Sequence, residues 1–402
     1  MRAVIEKSKA SGFVSAPPSK SVAHRKLICA ALSKEKSKIS NVALSEDISA
    51  TLDCLSAMGA EIERKNDTVV LGGLDPRKIP EGAVLPCRES GSTLRFLVPL
   101  ALLCGKRVSF EGAEKLFSRP LGVYEKLCRE NGFLFEKGKS SLTVCGTLLS
   151  GDYFLPGDVS SQFVTGLLFA LPFCRGESRI CLTTPLQSKS YVDITLNEMK
   201  KFGVSATWQN AGTLYLSSAQ AFGAFDEPVE GDCSSAAFLE AFNLFGGSVE
   251  VGSISPDTLQ GDRVFRELFP LLEKERAVID LSDCPDLAPV LMAVSSAKRG
   301  ALFKNTARLK MKESDRGEAM KKELSAFGAK IEVRENEIEV FPSKLHAPEK
   351  PLDGHNDHRV VMSLSVLLSL FGGEIEGAQA VSKSFPDFFE VIKKLGIKVE
   401  LI

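Results

Sequence analysis

No excess of either charge runs through this chain: 50 lysines and arginines stand against 51 acidic side chains, a formal net charge of −1. A nucleic-acid partner would call for a broad basic surface, so any cationic site here is local, and no nucleic-acid partner is expected. No CxxC occurs. The cysteines at 29, 54, 87, 104, 128, 145, 174, 181, 233 and 284 are scattered, several of them in apolar runs where a free thiol behaves as a small hydrophobe. That distribution argues for a reducing compartment and against structural zinc. The histidines, 24, 346, 355 and 358, form no metal-ligand pattern, and neither a P-loop nor a GxGxxG is present. The opening "MRAVIEKSKASGFV" lacks the apolar run of a signal peptide and the acid-poor bias of a transit peptide. Uncharged apolar stretches such as "VVMSLSVLLSLFGG" (360–373) are too short for a membrane span. The expectation is a cytoplasmic protein, off the membrane, with no metal and no cofactor.

What the chain does have is a repeat. At 402 residues it exceeds what one hydrophobic core usually supports, which makes two domains the default. Apolar helices with polar openings are predicted at "SKSVAHRKLICAAL" (19), "SGSTLRFLVPLALL" (90), "SSQFVTGLLFALPF" (160), "CSSAAFLEAFNLFGG" (233), "DLAPVLMAVSSAKRG" (286) and "NDHRVVMSLSVLLSL" (356). Most steps between them are about seventy residues, with a shorter one after 233. Each is followed by a short extended segment and a capped second helix, which mostly ends at a glycine and runs into an alternating, hairpin-like pattern, as in "LDCLSAMGAEIERKNDTVVLGG". The fourth unit, near "RVFRELFPLLEKERAVIDLSD", is degenerate. Six βαβαββ-like units point to an α/β fold of two domains with three units each. The switch lies in the Pro/Gly/Asp-rich "FDEPVEGDCSS" (225–235). The first strand, "RAVIEK", completes no unit at its own end and is expected to join the C-terminal half. The domains are therefore read as 1–14 with 231–402, and 15–230, with the site in the cleft between them.

In this layout the helix openings and the loops before the second helices collect at one end of each unit. The openings carry Lys20, Ser21 and Arg25; Gly91, Ser92 and Arg95; Ser160, Ser161 and Gln162; Asp286; and Asn356, Asp357, His358 and Arg359. The loops carry Asp47, Arg119, Ser188, Lys312, Glu313, Arg316 and Lys383. Capping accounts for any one of them. It does not account for charge recurring at equivalent points of successive repeats. In "PPSKSVAHRKL" (17–27), Ser21 and Arg25 share a helix face with Lys20 just ahead of it. Two cations, a hydroxyl and free helix-start N–H groups suit an anion. Lys20, Arg25, Arg95, Arg119, Lys312, Arg316, Arg359 and Lys383 outnumber the carboxylates Asp47, Asp286 and Glu313, an imbalance that phosphate monoesters and carboxylates would offset.

The motifs "SKSVAHR", "SGSTLR", "SRPLG", "SSQFVTGLL", "SKSYVDITL", "KESDR", "NDHR" and "KSFPDFFE" occur in an order and spacing that resemble the EPSP synthases of the enolpyruvyl transferase family, from Lys20 to beyond Lys383. The resemblance implies two inside-out α/β barrel domains of three βαβαββ units. It implies transfer of the enolpyruvyl group of phosphoenolpyruvate to the 5-hydroxyl of shikimate 3-phosphate, with release of phosphate, by a cytoplasmic monomer of the aromatic amino-acid pathway. Carried over by position, Lys20, Ser21, Arg25, Ser160, Ser161, Ser188, Asp286 and Lys312 would hold shikimate 3-phosphate. Lys20, Gly91, Arg95, Arg119, Gln162, Arg316, Arg359 and Lys383 would hold phosphoenolpyruvate, or the anionic herbicide glyphosate in its place. Asp286 would be the base at the hydroxyl, and either Lys20 or Glu313 would protonate the methylene carbon.

Pro18, Glu89, Phe96 and Ser190 depart from the pattern, standing where the family favours Gly, Asn, Pro and Pro. Glu89 places an added carboxylate beside an anion site. The related UDP-N-acetylglucosamine enolpyruvyl transferases use a loop cysteine, which "EKLFSRPLG" does not supply, and lack the NDHR run. An RNA 3′-phosphate cyclase-like protein would need a nucleophilic histidine and an extended basic surface, and neither is evident.

Overall fold

The computed structural model describes residues 1–402. The chain divides into two compact units, Met1–Pro17 with Gly231–Ile402, and Pro18–Glu230. Both repeat one plan. In the 18–230 unit, strand Ala83–Arg88 leads into helix Gly91–Ala101, strand Val108–Gly112, helix Gly122–Glu130 and the hairpin of Leu134–Lys137 and Ser141–Cys145. The first two strands pair in parallel and the hairpin closes the sheet antiparallel. The sheets containing Asp152–Leu155 and Ala277–Asp280 have the same order and directions.

Helices lie inside and sheets outside. Helix Ser161–Ala170 buries every residue except Gln162, and His358–Phe371 is buried through Ser369. A helix apolar around its whole circumference has to be covered. A partly antiparallel sheet can leave one face in water, and strand Asp152–Leu155 does so, alternating exposed and buried residues.

The first and fourth repeats exchange edge strands. Ser11–Ser15, which precedes the first repeat, pairs in parallel with Ser248–Gly252, while Glu227–Pro228, which precedes the fourth, pairs in parallel with Ser37–Ser40. Strand Arg2–Ile5 fills the inner place of the last sheet, antiparallel to Gly373–Glu376 and Val399–Leu401. The degenerate fourth unit lacks its hairpin, since Ser248–Gly252 and Ser11–Ser15 form a two-stranded sheet and helix Phe265–Lys274 runs directly into the next sheet at Ala277–Asp280. No helix is long and apolar enough to cross a membrane.

Four of the six polar helix openings are side-chain caps. Ser90, Ser160, Asp232 and Asp357 each accept a backbone N–H from the first turn that follows. At 286 the helix begins with a 3-10 turn, Pro285–Leu287, and becomes regular from Ala288.

Candidate active site

Helix Gly91–Ala101 supplies the tightest cationic group in the 18–230 unit. A Cβ placed on Gly91 would lie 3.0 Å from Nη1 of both Arg95 and Arg119, so two guanidiniums meet over a residue with no side chain. Arg95 donates to Gln162 Oε1 at 2.7 Å and to the Pro120 carbonyl at 3.2 Å, with its guanidinium over the Phe163 ring. Gln162 in turn donates to Ser92 Oγ at 2.9 Å. Nε of Arg119 is buried without a hydrogen-bond partner. Beneath them Tyr124 donates to the Arg95 carbonyl at 2.7 Å, which holds the helix turn from behind. Gly91, Arg95, Arg119 and Gln162, distant in sequence, are thus one group.

Arg25 is 2% exposed and donates to Ser21 O at 2.6 Å, Thr195 Oγ1 at 2.8 Å and Tyr191 O at 3.0 Å. Its guanidinium also lies over the rings of Phe96 and Tyr191. None of these partners carries a charge. Burial therefore dominates and brings the guanidinium down to about 10, against the pull of Tyr191 and Glu198. Ser188, at the start of the same helix, Lys189–Lys201, is buried with φ +58°, a left-handed conformation that costs a serine energy and is found where a site demands it. Lys20 differs, forming an ion pair with Asp47 at 2.7 Å. The Asp47 carbonyl accepts from Thr51 and Thr93, whose hydroxyls are 2.7 Å apart, so this pair is tied to the Gly91 helix. Ser160 caps and Ser161 opens the helix that carries Gln162.

The unit of 1–17 and 231–402 holds a different arrangement. Asp286 accepts from Arg316 Nη1 at 2.7 Å and Arg359 Nη2 at 3.1 Å, with Lys312 Nζ at 3.2 Å. Arg316, 1% exposed, also donates Nε to Asp357 at 2.9 Å and Nη2 to Glu313 at 2.7 Å. Asp357 accepts the backbone N–H of Arg359 at 3.0 Å and the hydroxyl of Ser314 at 3.0 Å. Lys383 donates to the Asn356 carbonyl at 2.9 Å, one turn ahead of Arg359. Burial pushes the Asp286 carboxyl upward, but Arg359, Lys312 and Arg316 overcome it and hold the group well below the usual carboxylate range. Burial lowers Lys312 in spite of Asp286. Burial also works against Arg316, yet Asp357, Glu313 and Asp286 raise it above its ordinary value.

Two residues with no role expected from sequence belong to this cluster. Asp357 reads as a helix cap, which it is, and its second task as a counter-ion to Arg316 has no separate sequence signal. Asp262 lies in the 3-10 turn Gly261–Val264 and is 3% exposed, close enough to Asp286 and Arg359 to feel both charges. The two units therefore differ in charge. Neither Arg25 nor Arg119 has a carboxylate partner, whereas Arg316 meets three.

Residues 4–392 match the family model described as EPSP synthase (3-phosphoshikimate 1-carboxyvinyltransferase). The 3-phosphoshikimate 1-carboxyvinyltransferase of Clostridium kluyveri is 40% identical, over 98% of this chain and 97% of that protein. That of Clostridium novyi is 36% identical over 97% and 96%. The fold is shared with the solved EPSP synthase of Acinetobacter baumannii at a TM-score of 0.78 and 22% identity, covering 99% of each chain. It is also shared with the enolpyruvyl transferase NikO of Streptomyces tendae at a TM-score of 0.76 and 12% identity, over 99% of this chain and 98% of that one. The chain belongs to the EPSP synthase (3-phosphoshikimate 1-carboxyvinyltransferase) family.

Proposed function

We propose that this chain performs the transfer of its family with the residues described above: the enolpyruvyl group of phosphoenolpyruvate passes to the 5-hydroxyl of shikimate 3-phosphate and phosphate is released. The observation that carries the assignment is the meeting of Arg95 and Arg119 over Gly91. Planar guanidiniums clamp carboxylate and phosphate oxygens in pairs, and a glycine there lets the ligand come close to the backbone at a helix start.

In this reading Gly91, Arg95, Arg119, Gln162, Arg316, Arg359 and Lys383 receive phosphoenolpyruvate. Ser21, Arg25, Ser160, Ser161, Ser188 and Lys312 receive shikimate 3-phosphate, and Lys20 serves both. Arg25, dressed by carbonyls and a hydroxyl, keeps its full charge for an anion. Asp286 takes the proton of the 5-hydroxyl. In the ligand-free arrangement three cations make it a weak base. When Arg359 and Lys312 turn to substrate anions, its proton affinity rises, so the base becomes effective as the substrates bind. Glu313 or Lys20 protonates the methylene carbon, the 5-oxygen adds to the carbon that bears the phosphate to give a tetrahedral intermediate, and loss of phosphate together with one proton of the new methyl group restores the double bond. The residues of both units act on one substrate pair, in a monomer. None of the ten cysteines is in a disulfide, which fits a reducing cytoplasm.

The test is phosphate release from phosphoenolpyruvate measured with and without shikimate 3-phosphate. The reading expects release only with both present. Turnover of phosphoenolpyruvate with UDP-N-acetylglucosamine, or none with shikimate 3-phosphate, would overturn it.

A further inference from the structure

The turn 353–357 leads into helix His358–Phe371, and it is held from behind by a pair of side chains that the proposed reaction does not use. His355 and Asn356 both lie in the left-handed region, with φ +50° and +52°. Left-handed residues other than glycine normally occur singly, so two in succession need support from outside the turn. His355 supplies it by reaching helix Arg316–Ser325, where its Nε2 lies 2.8 Å from Oε1 of Glu323. A carboxylate only accepts, so Nε2 carries the proton. Glu323, 4% exposed, also accepts the backbone N–H of Asp353 through Oε2 at 3.0 Å, and Lys322 Nζ approaches its Oε1 at 3.2 Å.

Both ends of the turn are fastened as well. Asp353 Oδ1 accepts His355 N at 2.7 Å, Gly354 N donates to Glu376 O at 2.8 Å, and Asp357 N donates to Gly354 O at 2.9 Å. Between those ends the Asn356 carbonyl receives Lys383 Nζ at 2.9 Å. Lys383 is 7% exposed and closes the 3-10 turn Ala378–Lys383. An ammonium has three donors, so the lysine can keep this carbonyl while it offers another N–H to an anion. A chain of three contacts thus runs from Glu323 through His355 and the Asn356 carbonyl to Lys383.

We infer that His355 and Glu323 are positioning residues for phosphoenolpyruvate: their bond holds the left-handed turn in the shape that aims the Asn356 carbonyl at Lys383, and so fixes the direction of that ammonium. The inference rests on the reading of Lys383 as a phosphoenolpyruvate residue. Without the bond, residues 355 and 356 relax toward ordinary backbone and the carbonyl turns away from Nζ. Lys383 then swings on a flexible four-carbon stem, and ordering it again on binding costs affinity for phosphoenolpyruvate. Ser21, Arg25 and Ser188, read as shikimate 3-phosphate residues, stand on other helices and keep their own bonds. The loss should therefore fall on one substrate.

The experiment is steady-state kinetics of the full-length wild type, His355→Asn, His355→Gln, Glu323→Ala, Lys383→Met and the double variant His355→Asn with Lys383→Met, alongside calorimetric titration of shikimate 3-phosphate. Asparagine tolerates the left-handed conformation but is too short to reach Glu323. His355→Asn should raise KM for phosphoenolpyruvate about five- to twentyfold at saturating shikimate 3-phosphate, while kcat and the Kd of the sugar phosphate change less than about threefold. Glu323→Ala breaks the same bond from the other side and should behave alike. His355→Gln, whose amide can donate to Glu323, should bring KM back to within about threefold of wild type. On the Lys383→Met background His355→Asn should add less than about twofold, because it acts through the lysine. An unchanged KM in His355→Asn and Glu323→Ala, equal losses for the two substrates, or a full independent loss on the Lys383→Met background would overturn the inference. If one variant does not fold or turn over, the remaining single variants decide. Lys383→Met separates the two readings: a wild-type KM for phosphoenolpyruvate there defeats the assignment of Lys383, whereas a raised KM there beside an unchanged His355→Asn defeats only the role of His355 and Glu323.

Discussion

Asp286 Oδ1 accepts from Arg316 Nη1 at 2.7 Å, and the guanidinium that makes this bond is itself held by Glu313 and Asp357. A base pinned by buried cations is held well below the usual carboxylate range, and it gains basicity only when its cations are drawn elsewhere. Asp286→Ala should lower kcat by about 10² to 10⁴, the range for loss of a general base, and leave the affinity for shikimate 3-phosphate within about threefold. Steady-state kinetics together with calorimetric titration of the sugar phosphate measure both quantities. Normal turnover by the variant would remove Asp286 from the mechanism.

Gly91 makes a second prediction. An alanine there fits only if the guanidiniums of Arg95 and Arg119 retreat by a few tenths of an ångström, because its Cβ would meet each Nη1 at 3.0 Å. Crowding by one methyl typically costs about 1–3 kcal/mol. The longer glyphosate should suffer it in full and the compact phosphoenolpyruvate in part. Gly91→Ala is therefore expected to raise the inhibition constant for glyphosate at least tenfold more than the KM for phosphoenolpyruvate. Equal losses for the two ligands would refute this, as would inhibition that is not competitive with phosphoenolpyruvate. Glu89→Asn, which removes a carboxylate two residues from Gly91, should strengthen both ligands.

Much of this was legible in the residues before the structure, and the reasons are physical. The repeat is written in capping residues and apolar helical faces, which are local signals; the helices at Gly91, Ser161 and His358 start within a few residues of the expected points. The exchange of strands Ser11–Ser15 and Glu227–Pro228 between repeats was not legible. Pairing partners more than 180 residues away leave no local trace. In the site, the cations could be read from their motifs, but their neutralisation could not. Arg316 and Arg119 look alike in sequence, yet one meets three carboxylates and the other none, because Asp286 and Asp357 are brought to Arg316 by folding alone.

Lys26 supports a prediction on stability. It is 2% exposed, 3.3 Å from Glu198 and paired with Glu227, and Lys201 joins the same two acids at 3.2 and 2.9 Å. Burial outweighs the pull of Glu198 and brings the amine down to about 8. Lys26→Met leaves buried Glu198 with only Lys201, and should cost about 3 kcal/mol at pH 7, the low end for breaking a buried pair. Adding Glu198→Gln should recover most of that loss. Because the folded-state value lies below the unfolded one, the unfolded chain binds more protons between about pH 8 and 10.5. Wild-type stability should therefore gain from this site as pH rises through that window, a gain missing from Lys26→Met. Urea titrations of the four proteins of the cycle measure it, and a double variant as unstable as the single one would contradict it.

Asp262 leads to the opposite dependence on pH, measurable without substrate. Its carboxyl is raised in the folded protein from 3.8 to about 7, so between these values the folded state binds the extra proton. Such a group contributes its full stability below pH 4 and loses it progressively as pH rises toward 7. Above that point the protein bears the cost of a charge buried beside Asp286 and Asp232 with one oxygen unbonded. Asp262→Asn removes the titration while keeping an acceptor for Ser234. The variant should match the wild type at pH 4 and exceed it at pH 8 by up to about 4 kcal/mol, an upper figure set by three pH units of linkage. Urea midpoints at several pH values between 4 and 8 give the difference curve. A flat curve means that Asp262 is ionised throughout and would contradict this prediction.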